Sequence, residues 1–137
     1  MPARDQFHDV VRHALEADGW QITHDPLSLE YGDAAFEIDL GAERFIGAER
    51  NGQRIAVEIK TFLKRSASHE FHAALGQYLS YHHALKHVDP DRVLFLAIPS
   101  DTHQGFFQSR FAQEMVSQHK IKLLVYNPGL EVIEAWL

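Results

Sequence analysis

The chain has 137 residues, 45% of them hydrophobic, enough for one compact domain with a real core and too few for two ordinary ones. Zero cysteines exclude disulfides, thiolate zinc ribbons and thiol nucleophiles, and a net charge of −6 argues against broad, charge-driven binding to nucleic acid. No apolar run approaches the roughly 20 residues that cross a bilayer, and the start, Met-Pro-Ala-Arg-Asp, lacks an apolar signal core, so the expectation is a soluble cytoplasmic protein.

Residues 4–18 place Phe7, Val10, Val11, Ala14 and Leu15 at helical spacing, and Gly19 stops the helix. Trp20–His24 and Leu27–Tyr31 read as extended. "FEIDLGAERFIGAERNGQRIAVEIKTF" then reads as two strands around Asn51-Gly52, a strong hairpin signal. A polar loop runs through Lys64–Ser68. Helical periodicity over 69–87 ends before Asp89-Pro90, which a helix does not readily cross. The apolar run "RVLFLAIP" at 92–99 predicts a strand buried on both faces. A weaker helix near 104–118 and the strands "IKLLVY" and "EVIEAWL" complete the chain. The order is αβββαβ followed by αββ, a mixed α/β domain with its central sheet flanked by helices.

In "RIAVEIK" (54–60), side chains alternate between faces: Ile55, Val57 and Ile59 on one, Ala56, Glu58 and Lys60 on the other. Glu58 and Lys60 should therefore sit side by side where an ion or substrate can reach them. With a two-residue turn at Asn51-Gly52, cross-strand partners have numbers summing to 103, so Phe45 faces Glu58 and Glu43 faces Lys60. Asp39 keeps the same parity, beyond a possible bend at Gly41. Two carboxylates and the Ile59 carbonyl form a hard-oxygen set suited to Mg²⁺ or Mn²⁺. Lys60 beside them could position or deprotonate a water, or stabilise charge growing on a phosphate. Taken alone, Glu-x-Lys is as readily a salt bridge within a sheet.

Charge distribution adds a second signal. Residues 44–65 hold six basic residues against two acidic ones, leaving seven against seventeen for the rest of the 13 basic and 19 acidic residues. Arg50, Arg54, Lys64 and Arg65 are accordingly the candidate DNA contacts, through phosphates. The histidines offer one-turn pairs at His69/His72 and His83/His87, but no convergent third zinc ligand.

A carboxylate strand, a hairpin, a Glu-x-Lys strand and a helix, in that order, resemble the PD-(D/E)XK nuclease superfamily, and "QYLSY" at 77–81 resembles the Gln-x-x-x-Tyr element of its RecB-like members. Over essentially the whole chain, "MPARDQFHDVVRHALEADGWQITHDPL", "IDLGAER", "IAVEIKTF", "FHAALGQYLSY" and "IKLLVYNPGLEVIEAW" are similar to the XisH family, the fdxN element excision controlling factors of cyanobacteria. The resemblance implies a restriction-endonuclease-like core and a role in excising a DNA element beside a site-specific recombinase and the companion factor XisI. It assigns Asp39 as the first carboxylate, Glu58 as the second, Lys60 as the lysine and Gln77 as the helix glutamine, with Tyr81 bracing the site or touching the DNA strand. No proline precedes Asp39, and Glu43 or Glu49 are alternative first carboxylates. Where some superfamily members carry a glutamate on the first helix, this chain has His8 and Asp9. Two readings stay open, a metal-dependent endonuclease and a catalytically silent DNA-binding or assembly subunit, and either is compatible with a homo-oligomer.

Overall fold

A computed structural model describes residues 7–32, 34–36, 45–62 and 66–137. Its elements are α1 (His8–Ala17), β1 (Gln21–His24), β2 (Leu29–Tyr31), β3 (Ala34–Phe36), β4 (Phe45–Arg50), β5 (Gln53–Ile59), α2 (Ala67–Val88), β6 (Arg92–Pro99), α3 (Ser100–Gln104), α4 (Arg110–Gln118), β7 (Leu123–Asn127) and β8 (Val132–Trp136). Among the described residues, six strands form one mixed sheet in the order β1-β4-β5-β6-β7-β8. The pairs within β1-β4-β5 are antiparallel, those within β5-β6-β7 parallel, and β7-β8 antiparallel again. The mixed α/β sheet flanked by helices agrees with the sequence reading.

The hairpin forms as its turn chemistry requires. Asn51 and Gly52 take positive φ values of 50° and 81°, the pattern of a tight primed turn, and the register pairs Phe45 with Glu58 and Arg50 with Gln53. Parity then sorts β5 between two cores. Ile55, Val57 and Ile59 pack with Val11 and Leu15 of α1, with Ile46 and Ala48, and with Leu124 and Tyr126. Ala56 faces the other way, with Leu94, Leu96 and Ile98 of β6, under Phe71, Ala74, Tyr78, Tyr81 and Leu85 of α2.

Helix α2 is the crossover between the parallel strands β5 and β6. The Ser66 hydroxyl caps it, accepting from the His69 amide at 3.1 Å. It starts two residues earlier than its periodicity predicts, and it ends at Asp89-Pro90 as expected. Asp89 also ties three segments together. It accepts from Arg92 Nε at 3.0 Å and from Arg54 Nη1 at 2.9 Å, while Arg92 Nη1 donates to the Ile55 carbonyl at 2.9 Å.

Two predicted stretches come out differently. The helix expected near 104–118 is broken into α3, a 3₁₀ turn at Phe106–Gln108, and α4. Gly105 departs from helical geometry (φ −98°, ψ −99°), and the Ser109 side chain starts a new helix by capping Ala112 at 3.3 Å. Phe36, at the head of the stretch read as leading into the hairpin, pairs with Leu29 in a two-stranded unit, β2-β3, which packs against α2 through buried Leu27 and Leu29.

Because Asp89 is shared by two guanidinium groups, one of them buried, Asp89→Ala should cost about 2–4 kcal/mol of stability. Urea unfolding of the variant measures this, and a loss below about 0.5 kcal/mol would show that the junction does not hold β5, β6 and α2 together.

Candidate functional site

Glu58 lies at the C-terminal end of β5, aligned with Leu96 of β6, and Lys60 follows just beyond the strand, its amide bonded to the Ala97 carbonyl at 3.0 Å. Contrary to the expectation of an accessible pair, Glu58 is 2% and Lys60 3% exposed. Helix α2 lies on the Ala56 side of the sheet, where Phe71, Ala74, Tyr78, Tyr81 and Leu85 pack with Ala56 and with Leu94, Leu96 and Ile98 of β6. Gln77, part-exposed, and Tyr81, buried, come from that helix.

Tyr78, next to Gln77, is the residue the motif reading passed over. It is buried, its hydroxyl donates to the Leu94 carbonyl at 3.3 Å, and it accepts from the Lys122 amide at 3.1 Å. Burial pushes its hydroxyl above the ordinary tyrosine value, the Lys122 hydrogen bond opposes this, and the negative charge of Glu58 adds to the rise. The signal was available in the sequence: Phe71, Ala74, Tyr78, Tyr81 and Leu85 form one helical stripe, so Tyr78 faces the sheet.

On the opposite face, the Tyr126 hydroxyl donates to the Lys60 carbonyl at 3.3 Å, and the Tyr126 ring meets Phe7, just before α1, edge-on at 6.0 Å. The next residue, His8, is 1% exposed; its Nε2 lies 2.8 Å from Asp25 Oδ2, which also accepts from Arg12 Nη1 at 2.7 Å. Burial alone would raise the Asp25 pKa, but the hydrogen bonds from His8 and Arg12 and the attraction of their charges outweigh it and hold the carboxyl below its ordinary value. Among the described residues His8 Nδ1 has no hydrogen-bond partner.

The sequence-predicted DNA contacts divide. Arg50 and Arg54 sit about four residues, or 13 Å, along the hairpin from Glu58, and on opposite faces of the sheet. Arg50 donates to the Asp18 carbonyl at 2.8 Å and its carboxylate at 3.1 Å, and Arg54 to both carboxylate oxygens of Asp89 at 2.9 and 2.8 Å. Glu49 aligns with Arg54, which separates it from Glu58 by the same distance. Asp39, Glu43, Lys64 and Arg65 lie outside the described residues. Among the described residues no three histidines, aspartates or glutamates converge on a metal position. The His83/His87 pair, 4.9 Å apart, instead packs against Tyr31, which stacks on His87 at 4.6 Å. No helix among the described residues is long and apolar enough to cross a membrane.

Residues 1–134 match the family profile described as XisH protein. Among solved structures, the chain is similar to an XisH family protein from Nostoc punctiforme, at 48% identity and a TM-score of 0.90, over 97% of this chain and 99% of that one. It is also similar to an fdxN element excision controlling factor protein from Anabaena variabilis, at 50% identity and a TM-score of 0.88, over 95% of this chain and 96% of that one. No curated protein matches it.

The Asp25 cluster generates a signed pH prediction. Asp25→Asn should destabilise the protein by about 1–3 kcal/mol at neutral pH. A carboxylate held below its ordinary pKa stabilises the fold fully above its unfolded value, near 4, and loses that contribution as pH falls through the folded value. The gap between wild type and Asp25→Asn in denaturant unfolding should therefore narrow below about pH 4. A gap that stays constant down to pH 2 would remove the ionised carboxylate from the account.

Proposed function

The chain belongs to the XisH family, and from that premise we propose that it is an excision controlling factor that acts on DNA as a metal-dependent endonuclease, in a single PD-(D/E)XK-type domain over residues 1–137. The observation that supports this reading is that Glu58 near the end of β5 and Lys60 just beyond it flank Ile59 as buried charged residues, on a sheet whose crossover helix α2 bears Gln77 and Tyr81. Leaving aside the β2-β3 unit, the elements run α1, β1, β4, β5, α2, β6, which supports a restriction-endonuclease-like core.

In this reading Asp39, Glu58 and the Ile59 carbonyl hold Mg²⁺ or Mn²⁺, a hard cation matched to a set of oxygen donors. When bound, the ion polarises the phosphodiester and acidifies water. Lys60 orients the attacking water or takes up charge on the phosphate, Gln77 braces the carboxylates, and Tyr81 contacts the cleaved strand. Arg50, Arg54, Lys64 and Arg65 meet DNA phosphates. The partners are a site-specific recombinase and the companion factor XisI.

The second reading is a catalytically silent DNA-binding or assembly subunit of the excision complex. It is favoured by the burial of Glu58 and Lys60 and by the engagement of Arg50 and Arg54 with aspartates of the same chain.

Lys60→Met separates the two, because it keeps the length of the side chain and removes the ammonium. An endonuclease should lose at least about 100-fold in Mn²⁺-dependent cleavage of element-end DNA, measured with and without XisI, while the variant stays folded and retains DNA. Excision in cells that survives Lys60→Met, together with no Lys60-dependent breakage in vitro, would establish the silent subunit.

A further inference from the structure

The α1 face of the sheet is only partly covered. Ten-residue α1 is about 15 Å long, while eight-residue β6 spans about 26 Å, and α1 packs toward β1 and β8. The first half of β6 is left open: Val93 is 40% exposed and Phe95 half-buried. There a groove of about 620 Å³ lies over Ile55, Val93 and Phe95, within the size range of sites that hold a small organic molecule.

The groove walls are aromatic and its rim is cationic. Trp136 meets Phe95 edge-on at 4.9 Å and Trp20 at 5.6 Å, giving one continuous aromatic surface. The Arg50 guanidinium lies over Trp20 at 4.6 Å from the ring centre, held by its bonds to Asp18. Arg54 and Lys122 also line the groove, facing one acid there, Asp91, in a chain whose net charge is −6. Lys122 carries no ion pair among the described residues, so its charge is available to a ligand.

We propose that this groove binds single-stranded nucleic acid, taking an unpaired base between the aromatic wall and the Trp20-backed guanidinium of Arg50, with the adjoining phosphate toward Lys122. Planar aromatic and guanidinium surfaces stack any base, and cations spaced along the rim follow the backbone. A duplex keeps its bases stacked inside and offers the groove only phosphates. The inference goes beyond the cleavage reading: the groove lies on the face opposite Glu58, and it needs neither a metal nor catalysis.

Trp20 and Trp136 are the chain's two tryptophans, so intrinsic fluorescence reports on the groove alone. The probe is a thymidine 12-mer added to the full chain in chelator at low salt. Saturable quenching is expected, weakening as salt rises, with a blunt duplex of equal length quenching at least about tenfold less tightly. Lys122→Gln, a surface change, should weaken binding about three- to tenfold and lower the salt slope by roughly 0.7. Val93→Glu, which puts a carboxylate at an exposed groove position, should abolish quenching, whereas Lys60→Met should leave it intact. The proposal is overturned by absence of quenching, by equal affinity for duplex, or by binding indifferent to both Lys122→Gln and Val93→Glu. A wild type that quenches but cleaves no element-end DNA, with metal and XisI present, would count against the nuclease reading alone.

Discussion

The architecture depends on the period of two along β5, fixed in register by the Asn51-Gly52 turn. This strand is covered on both faces, and its two faces serve different cores. A slip of one residue would drive Glu58 and Lys60 into the layer of Val11, Leu15 and Tyr126, and would bring Ile55, Val57 and Ile59 under α2. The primed turn makes that slip costly, because Asn51 and Gly52 already occupy the left-handed backbone region that the two-residue connection demands. The polar pair is thus placed by a turn several residues away.

From that placement follows a tension between chemistry and burial. A buried acid and a buried lysine are stable only where their charges are matched. Tyr78 shows how α2 is coupled to the pair: one phenol joins α2 to β6 and to the start of β7, while feeling the charge of Glu58. Tyr126 plays the corresponding part below, joining β7 to the Lys60 backbone. Tyrosine hydroxyls thus tie the sheet from both faces, Tyr78 at β6 and the start of β7 and Tyr126 at the end of β5.

Much of this was legible in the sequence because the signals are local. The hairpin register, the stop at Asp89-Pro90 and the buried strand 92–99 follow from turn chemistry, pre-proline sterics and an unbroken apolar run. What escaped depends on partners far apart in the chain. The burial of Glu58 depends on packing from elements remote in sequence, and Arg50 and Arg54 are engaged separately, one by Asp18 and the other by Asp89, on opposite faces of the sheet. The His8–Arg12–Asp25 cluster joins residues 13 and 17 positions apart, with no periodicity to announce it. The break in the helix expected near 104–118 rests on the non-helical backbone of Gly105 and the cap at Ser109, neither of which interrupts the apolar periodicity. Asp39, on which the metal reading turns, lies outside the described residues, so the site is legible only on its Glu58–Lys60 side.

Among the described residues, the β2-β3 unit shares no ladder with the six-stranded sheet; buried Leu27 and Leu29 and the Tyr31–His87 stack hold it to α2. Its strands are three residues each, so it can lift from the helix without breaking any pairing of the main sheet. Amide exchange in β2 and β3 is then governed by a local opening equilibrium, while that of β5 follows global unfolding. The protein has two layers of cooperativity, and the weaker one lies on the crossover helix α2.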